Sequence, residues 1–243
     1  MGDAPVGCGS VSSSAPSALP GLVVAVDGTS GSGKSSTSRG VATRLGLRYL
    51  DTGAMFRAMT WWLLREGIDV HDADAVVARV GEPRIVSGTD PAAPTITVDG
   101  SDVAVAIRQD DVTGAVSPVR AVPEVRARLL DLQREVIARE AAGGGIVVEG
   151  RDIGSVVCPD AAVKVYLSAD PAARASRRAA EQGGSDVVAT RESLLARDRI
   201  DSGRATAPLT MADGAVHIDT TGHSLEEVIA LVVSLVQDAG ART

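Results

Sequence analysis

Aromatic residues and lysines are scarce in this chain of 243 residues. Phe, Trp and Tyr together make up 2% of the sequence, which is too little for a platform that stacks the bases of single-stranded nucleic acid. The formal net charge of −7 excludes a broad electrostatic surface for DNA, RNA or anionic lipid. Only Lys34 and Lys164 are lysines, whereas arginine is abundant. Local basic sites can therefore still form, and they would be built mainly from arginine.

Cysteines and long apolar runs are also few. Cys8 and Cys158 do not make a disulfide framework or a metal-ligand cluster, which is typical of a reducing compartment. No apolar run approaches the ~20 residues that cross a bilayer. Residues 1–20 lack the basic and apolar regions of a signal peptide, and they consist mostly of Gly, Ser, Pro and Ala. We therefore expect a cytoplasmic protein that begins with a flexible tail over residues 1–20.

From Leu22 onward, short apolar runs alternate with segments of helical periodicity. This alternation predicts an α/β protein with a parallel sheet covered by helices on both faces. The predicted strands are 22–26, 48–50, 146–148, 161–167 and 215–218. The predicted helices include 52–65 with Thr52 as its N-cap, 123–141, 171–181, 190–203 and a last helix from Ser224. Between them, residues 84–107 predict a small antiparallel insertion, with strands at 84–87, 95–98 and 103–105.

The first predicted strand leads into a glycine-rich segment. Gly28–Ser35 reads GTSGSGKS and matches G-x-x-x-x-G-K-[ST], the phosphate-binding loop (P-loop) of nucleotide-binding proteins. In such a loop, backbone N–H groups and the following helix dipole face the phosphates. Lys34 would neutralise β- and γ-phosphate charge, and Ser35 would offer its hydroxyl to Mg²⁺. The strand–loop–helix context argues against an accidental match, so the segment predicts binding of a nucleoside triphosphate.

A P-loop alone does not distinguish kinases, GTPases, motors and transport ATPases. Guanine-specific GTPases generally carry an Asn-Lys-x-Asp element, and Lys164 lies instead in Val-Lys-Val-Tyr. The chain is also short for a motor or a transport ATPase. These exclusions favour a small phosphotransferase.

Charged residues follow the predicted strand 146–148. Glu149 takes the position of a Walker B carboxylate, which orients Mg²⁺ or its waters, and Arg151 and Asp152 come next. The carboxyl ends of parallel strands are where active residues are expected. An ordinary loop after a strand could have the same composition, so the residues leave both interpretations open.

Two arginine clusters occur later in the chain. Arg197, Asp201 and Arg204 are spaced i, i+4, i+7 and would share one helical face, either as exposed ion pairs or as a grip on phosphate and sugar. Arg174, Arg177 and Arg178 form the second cluster, which would be either a solvated face or a mobile phosphate clamp. Composition alone favours the solvated faces.

Together these segments resemble the bacterial cytidylate kinases, which are CMP/dCMP kinases of the nucleoside monophosphate kinase group. The matching strings are GTSGSGKSS (28–36), LDTGAMFR (50–57), residues 116–126, EGRDIGSVVCPDA (149–161) and RDRIDSGRATAPL (197–209). They occur in the family's order and span the chain from Leu22 to the last helix. Small departures are Ser155 in place of a usual Thr, Cys158 in place of an aromatic residue, and Ile200 in place of a polar one.

The resemblance implies the P-loop nucleoside monophosphate kinase fold over residues 21–243. It adds a monophosphate-binding insertion at about 72–120 and a helical lid at about 174–200. The implied reaction is transfer of the γ-phosphoryl group of ATP to CMP or dCMP by a monomer, with Mg²⁺ as cofactor.

The resemblance also implies roles for individual residues. The ATP-binding residues would be Gly28, Thr29, Ser30, Gly31, Ser32, Gly33, Lys34, Ser35 and Ser36. Cytosine would be bound by Thr52, Ser117, Arg126 and Asp152, and its 5′-phosphate by Arg57 and Arg151. Ribose and phosphate would also be reached by Arg197, Asp201 and Arg204. The catalytic residues would be Lys34 with Arg174 and Arg178 of the lid, and Mg²⁺ would meet Ser35 directly and Glu149 through water.

Two alternatives remain at this point. One is a kinase for another small acceptor, such as UMP, AMP or shikimate. The other is a non-catalytic ATP-dependent switch, which would not need the arginines of a second phosphate site.

Overall fold

A computed structural model of the chain describes residues 21–181, 184, 186–203 and 209–241. The predicted tail at 1–20 lies outside these ranges. Within them, the strands are β1 Val23–Gly28, β2 Arg48–Asp51, β3 Ile85–Ser87, β4 Ile96–Val98, β5 Ser101–Asp102, β6 Ile146–Glu149, β7 Val163–Ser168 and β8 Val216–Asp219.

The helices alternate with these strands along most of the chain. Their bounds are α1 Lys34–Leu45, α2 Thr52–Arg65, α3 Ala73–Arg79, α4 Asp110–Ala121, α5 Pro123–Ala142, α6 Pro171–Glu181, α7 Val187–Ser202 and α8 Leu225–Gly240. A 3₁₀ turn spans Ala106–Arg108 and a π-helical turn spans Ile153–Val157. In the described ranges, no helix combines the length and the apolar character needed to cross a bilayer.

A five-stranded parallel sheet lies at the centre, in the order β2–β6–β1–β7–β8. Val26 of β1 pairs with Glu149 of β6, and Asp51 of β2 pairs with the same Glu149. Because the strands are parallel, their carboxyl ends meet at one edge of the sheet, which is the usual site of function in such folds. The predicted parallel sheet is confirmed, and β1 lies at its centre.

Helices cover both faces of this sheet. On one face, α2, α4 and α5 pack on the sheet through side chains such as Met55, Met59 and Trp62. On the other, α1 and α8 pack on it through side chains such as Val41 and Val232. The two methionines of α2 and its Trp62 are all buried.

A second, antiparallel sheet joins β3, β4 and β5. The predicted strand at 103–105 is wrong, because the last strand is β5 at Ser101–Asp102. Asp99 and Gly100 have φ of 52° and 81°, which makes a tight Asp-Gly hairpin turn. This turn starts the pairing at Ser101, opposite Val98. The chain then leaves the sheet after one more backbone bond, from Val103 N–H to Ile96.

The start of α2 also differs from the prediction. Asp51, and not Thr52, is the N-cap, and its carboxylate accepts from the Ala54 N–H at 2.9 Å. The Thr52 hydroxyl instead donates to the Glu149 carbonyl at 2.8 Å. Thr52 therefore ties the start of α2 to the end of β6.

Candidate active site

The segment Gly28–Ser35 forms a tight loop between β1 and α1, as its motif predicts. Gly28, Gly31 and Gly33 have φ of 143°, 76° and 86°, and residues other than glycine rarely adopt such positive values. A Cβ on Gly28 would lie 1.9 Å from the Leu167 carbonyl oxygen of β7. Glycine at position 28 is therefore required by close packing as well as by backbone conformation.

Lys34 begins α1 and curls back over the loop. Its side chain is only 8% exposed. Its ammonium donates to the Gly28 carbonyl at 2.9 Å and also to the Thr29 carbonyl. Burial, together with the nearby positive charge of Arg151, lowers the pKa of Lys34 to about 7. The negative charge of a bound phosphate would raise that pKa again.

Glu149, at the end of β6, faces the loop across the cleft. Its Oε1 accepts from the Ser35 hydroxyl at 2.7 Å and from the Tyr49 hydroxyl at 2.8 Å. Its Oε2 is buried and has no hydrogen-bond partner in the described part of the chain. Burial and the nearby charge of Asp51 raise the pKa of Glu149. Oxygen donors of this kind suit Mg²⁺, so Ser35 and Glu149 fit the predicted metal site.

Tyr49 is a contact that the sequence does not predict. It lies on β2 and is 2% exposed, and burial with the neighbouring charge of Glu149 raises its pKa. Its hydroxyl therefore stays protonated and orients Glu149 as a donor. The one available signal was a tyrosine directly before the LDTGAMFR string in a chain with few aromatics.

On the β2 side of the loop, Arg57 of α2 pairs with Asp51 at 2.9 Å. Burial raises the pKa of Asp51, but the charge of Arg57, the Ala54 N–H and the charge of Arg108 outweigh burial and hold the pKa below its ordinary value. Asp51 is therefore ionised at neutral pH and holds Arg57 at the cleft.

The loop after β6 brings Arg151 and Asp152 to the same edge of the sheet. Arg151 donates to the Gly28 carbonyl at 3.1 Å. Asp152 forms an ion pair with Arg126 of α5, and its side chain does not cap the π-helical turn that follows it. The predicted pair of base-binding residues, Arg126 and Asp152, is thus in direct contact.

Asp27 fastens this loop to β1, a role that the sequence does not suggest. It is 3% exposed, and its two carboxylate oxygens accept from the N–H groups of Ile153 and Gly154, each at 2.8 Å. Burial raises its pKa to about 6, partly offset by these two N–H groups. Asp27 therefore anchors the backbone immediately after Asp152.

The helices α6 and α7 meet the P-loop from the β7 side. Arg174 is 4% exposed, donates to the Ser30 carbonyl at 3.0 Å and pairs with Asp198 of α7. Asp198 also accepts from the Ser30 N–H at 3.2 Å. Arg177 donates to the Thr220 hydroxyl at 2.9 Å. Of the predicted arginine cluster, Arg174 thus contacts the P-loop, whereas Arg177 ties α6 to the segment after β8.

One open cleft is lined by Lys34, Ser35, Arg57, Glu149 and Arg151. Thr52, Arg126, Asp152 and Arg174 are not among its lining residues. Among its lining residues are the predicted Arg178 and Ser117, and also Arg108 and Arg120, which the sequence does not single out. Of the remaining predictions, Arg197 and Asp201 lie on α7, and Arg204 lies outside the described residues. Their shared helical face therefore stays a prediction.

Comparisons with known proteins match this chain to one family. The family model for cytidylate kinase matches residues 24–238. A cytidylate kinase of Streptomyces coelicolor is 58% identical over 222 residues, covering 91% of this chain and 95% of the relative. One from Streptomyces avermitilis is 56% identical, covering 92% and 96%, and one from Mycobacterium leprae is 47% identical, covering 90% and 98%.

Among solved structures, a shikimate kinase from Acinetobacter baumannii aligns with a TM-score of 0.45 at 14% identity. That alignment covers 89% of this chain and 93% of the other. A gluconokinase from Sinorhizobium meliloti aligns with a TM-score of 0.47 at 16% identity, covering 90% and 94%. From the family match and the identity to its relatives, the chain belongs to the cytidylate kinase family.

Proposed function

We propose that this protein transfers the γ-phosphoryl group of ATP to CMP or dCMP, giving ADP and CDP or dCDP. The observation that supports this best is one cleft lined both by a P-loop with Lys34 and by the arginines Arg57 and Arg151. A protein that only binds ATP needs one phosphate site, whereas a kinase acting on a phosphorylated acceptor needs two. The names of its relatives, cytidylate kinases, agree with this assignment.

In the proposed complex, the donor binds at the β1 end of the cleft. The backbone N–H groups of residues 28–36 and the N-terminus of α1 would hold the ATP phosphates. Lys34 would exchange its carbonyl partners for phosphate oxygens. Ser35 and Glu149 would hold Mg²⁺, which supplies countercharge to the phosphates when bound. The described residues contain no group of three or more His, Cys, Asp and Glu that could hold a metal ion, so phosphate oxygens and water would complete its coordination.

The acceptor would bind on the β2 and β6 side. Arg57 and Arg151 would hold its 5′-phosphate, because a guanidinium can donate two parallel hydrogen bonds to two oxygen atoms of one phosphate. Thr52, Ser117, Arg126 and Asp152 would surround the cytosine. The carboxylate of Asp152 would accept from the N4 amino group, while Arg126 would donate to N3 or O2.

Little proton chemistry is required of the protein. The acceptor phosphate is already an oxyanion near neutral pH, so no strong general base is needed. Transfer passes through a loose transition state whose charge is spread over the phosphoryl oxygens. The protein's task is to align two polyanions and to neutralise them. The local excess of arginine and lysine meets this need in a chain that is acidic overall.

Arg174 and Arg178 would act as the catalytic arginines of the lid. Arg174 already contacts the P-loop through the Ser30 carbonyl, and Arg178 lines the cleft. Closure of the predicted lid at 174–200 would keep water from accepting the phosphoryl group. Arg197, Asp201 and Arg204 would add contacts to ribose and phosphate. This last assignment rests on the family motif alone.

An ADP-release assay with CMP, dCMP, UMP, AMP and shikimate tests the proposal. We expect fast, Mg²⁺-dependent release with CMP and dCMP, and slow release with the other three. Equal release with no acceptor would favour the ATP-dependent switch, and faster release with UMP, AMP or shikimate would favour another kinase. A cytoplasmic location, which the cysteine usage of the sequence supports, and a monomeric state are further proposals.

A further inference from the structure

Arg120 lies on the last turn of α4 and lines the cleft beside Arg57. No motif in the sequence singles it out. Its guanidinium carbon is 4.9 Å from the centroid of the Phe56 ring, and Phe56 itself is buried on α2. Such stacking uses the flat face of a guanidinium and holds the group in place. The side chain is therefore oriented by an aromatic residue of the acceptor side.

Gly53, in the first turn of α2, marks where two arginines converge. A Cβ built on Gly53 would lie 3.1 Å from Arg57 Nη1 and 3.4 Å from Arg120 Nη2. The two guanidinium groups thus reach the same point from two different helices. The N-terminus of α2 adds the positive end of its dipole there. A side chain at position 53 would therefore crowd both guanidinium groups.

The charges at this point favour an anion. Asp51 is the acidic partner of Arg57, and its Oδ1 would lie 3.0 Å from the same Cβ. Asp51 carries one negative charge against the three positive charges of Arg57, Arg120 and the nearby Arg108, which also lines the cleft. Arg57 Nε is also buried without a hydrogen-bond partner in the described ranges. A phosphate dianion between the two arginines would balance this charge and add acceptors.

We propose that Arg120 is a further binding residue for the 5′-phosphate of the acceptor nucleotide, which it holds together with Arg57. The inference rests on the proposed function, because it takes CMP or dCMP as the acceptor. Arg120 belongs to the region predicted as the monophosphate-binding insertion, at about 72–120. Its contact would therefore link α4 to α2 through the phosphate as well as through Phe56.

Calorimetric titration of CMP and of cytidine tests this assignment, because the two ligands differ only in the phosphate. Arg120→Met keeps an aliphatic stem against Phe56 and removes the charge. We expect the Kd for CMP to rise on the order of tenfold to a hundredfold, as for the loss of a charge-assisted hydrogen bond. The Kd for cytidine and the KM for ATP should stay within twofold. Arg120→Lys, which keeps the charge but not the fork, should fall between Arg120→Met and wild type.

Arg65→Met is the matched control, because Arg65 stacks on Trp61 at 5.2 Å and does not line the cleft. Arg65→Met should leave the Kd for CMP, the Kd for cytidine and the KM for ATP unchanged. Unchanged CMP binding in Arg120→Met would overturn the proposal. Equal weakening of CMP and cytidine would also overturn it, since Arg120 would then act on the base, the ribose or the fold. A wild-type protein that does not phosphorylate CMP would instead contradict the proposed function, whatever the variant binds.

If Arg120→Met fails to give a cooperative melting transition, the same titrations with Arg120→Lys decide the question. A weaker CMP affinity with unchanged cytidine affinity would then support the phosphate contact, and equal affinities to wild type for both ligands would refute it.

Discussion

Replacing Asp27 by Asn should change how the stability of the protein depends on pH. Asp27 has a pKa of about 6 in the folded protein, because burial outweighs its two hydrogen bonds from Ile153 and Gly154. The ordinary value of an aspartate is 3.8, which applies to the unfolded chain. Between these two values the folded state keeps a proton that the unfolded state has lost. Wild-type stability therefore falls as pH rises through this window.

The size of the effect follows from the two pKa values. A difference of this size corresponds to about 3 kcal/mol in total, and to about 2–3 kcal/mol between pH 4 and pH 7. Asn does not ionise, so the Asp27→Asn variant lacks this pH-dependent loss. The free energy of unfolding of the variant minus that of wild type should thus rise by about 2–3 kcal/mol from pH 4 to pH 7. Asn has one acceptor oxygen where Asp27 has two, and the stability lost for this reason is the same at every pH. It therefore does not change this slope.

Urea unfolding followed by circular dichroism at a series of pH values measures both proteins. Other carboxylates titrate in both and cancel in the difference. Asp27→Ala separates the charge from the hydrogen bonds. It should show the same slope as Asp27→Asn with lower stability throughout, by roughly 1–3 kcal/mol for each backbone N–H left without an acceptor. A difference that is flat or falls with rising pH would refute the assignment of a raised pKa to Asp27.

Three further substitutions address the donor and acceptor subsites. Lys34→Ala should reduce ADP release to near background, since it removes the countercharge to the phosphates, while the protein still unfolds cooperatively. Activity within threefold of wild type would contradict the role of Lys34. Tyr49→Phe removes the donor to Glu149 and should raise the Mg²⁺ concentration for half-maximal activity severalfold. We also expect the free energy of unfolding to fall by about 1 kcal/mol. An unchanged Mg²⁺ dependence would mean that Tyr49 contributes to stability only. Asp152→Asn should lower the ratio of kcat/KM for CMP over UMP by about tenfold or more, because an amide also donates. If both substrates slow equally, Asp152 does not read the base.

The order of strands and helices was predictable because it depends on local patterns. Apolar runs such as 146–148 and the glycine motif at 28–35 are complete within a few residues, and the structure confirms β6 and the P-loop. The first and last residues of helices and strands were less predictable where two adjacent residues could take the same role. Asp51 and Thr52 are both good N-caps, and the choice between them depends on the carbonyl of Glu149, almost a hundred residues later.

The unpredicted site residues all act through distant segments. Asp27 meets the backbone after Asp152, Tyr49 meets Glu149, and Asp198 meets Ser30. Nothing in the local sequence of these residues indicates their partners, because the contacts exist only once the sheet order is known. The buried position of Lys34 has the same origin, since the fold brings Arg151 and Glu149 close to the P-loop.

The position of β1 at the centre of the sheet has a geometric consequence for catalysis. The P-loop follows β1, the proposed acceptor residues follow β2 and β6 on one side, and α6, which begins the proposed lid, follows β7 on the other. Neighbouring strands are held about 4.8 Å apart by their backbone hydrogen bonds. The sheet therefore fixes the spacing between the strand ends that carry the P-loop and the proposed acceptor residues. Changes in the proposed insertion or the proposed lid, which lie outside the five-stranded sheet, would then alter how the cleft opens while the spacing of the strand ends stays the same.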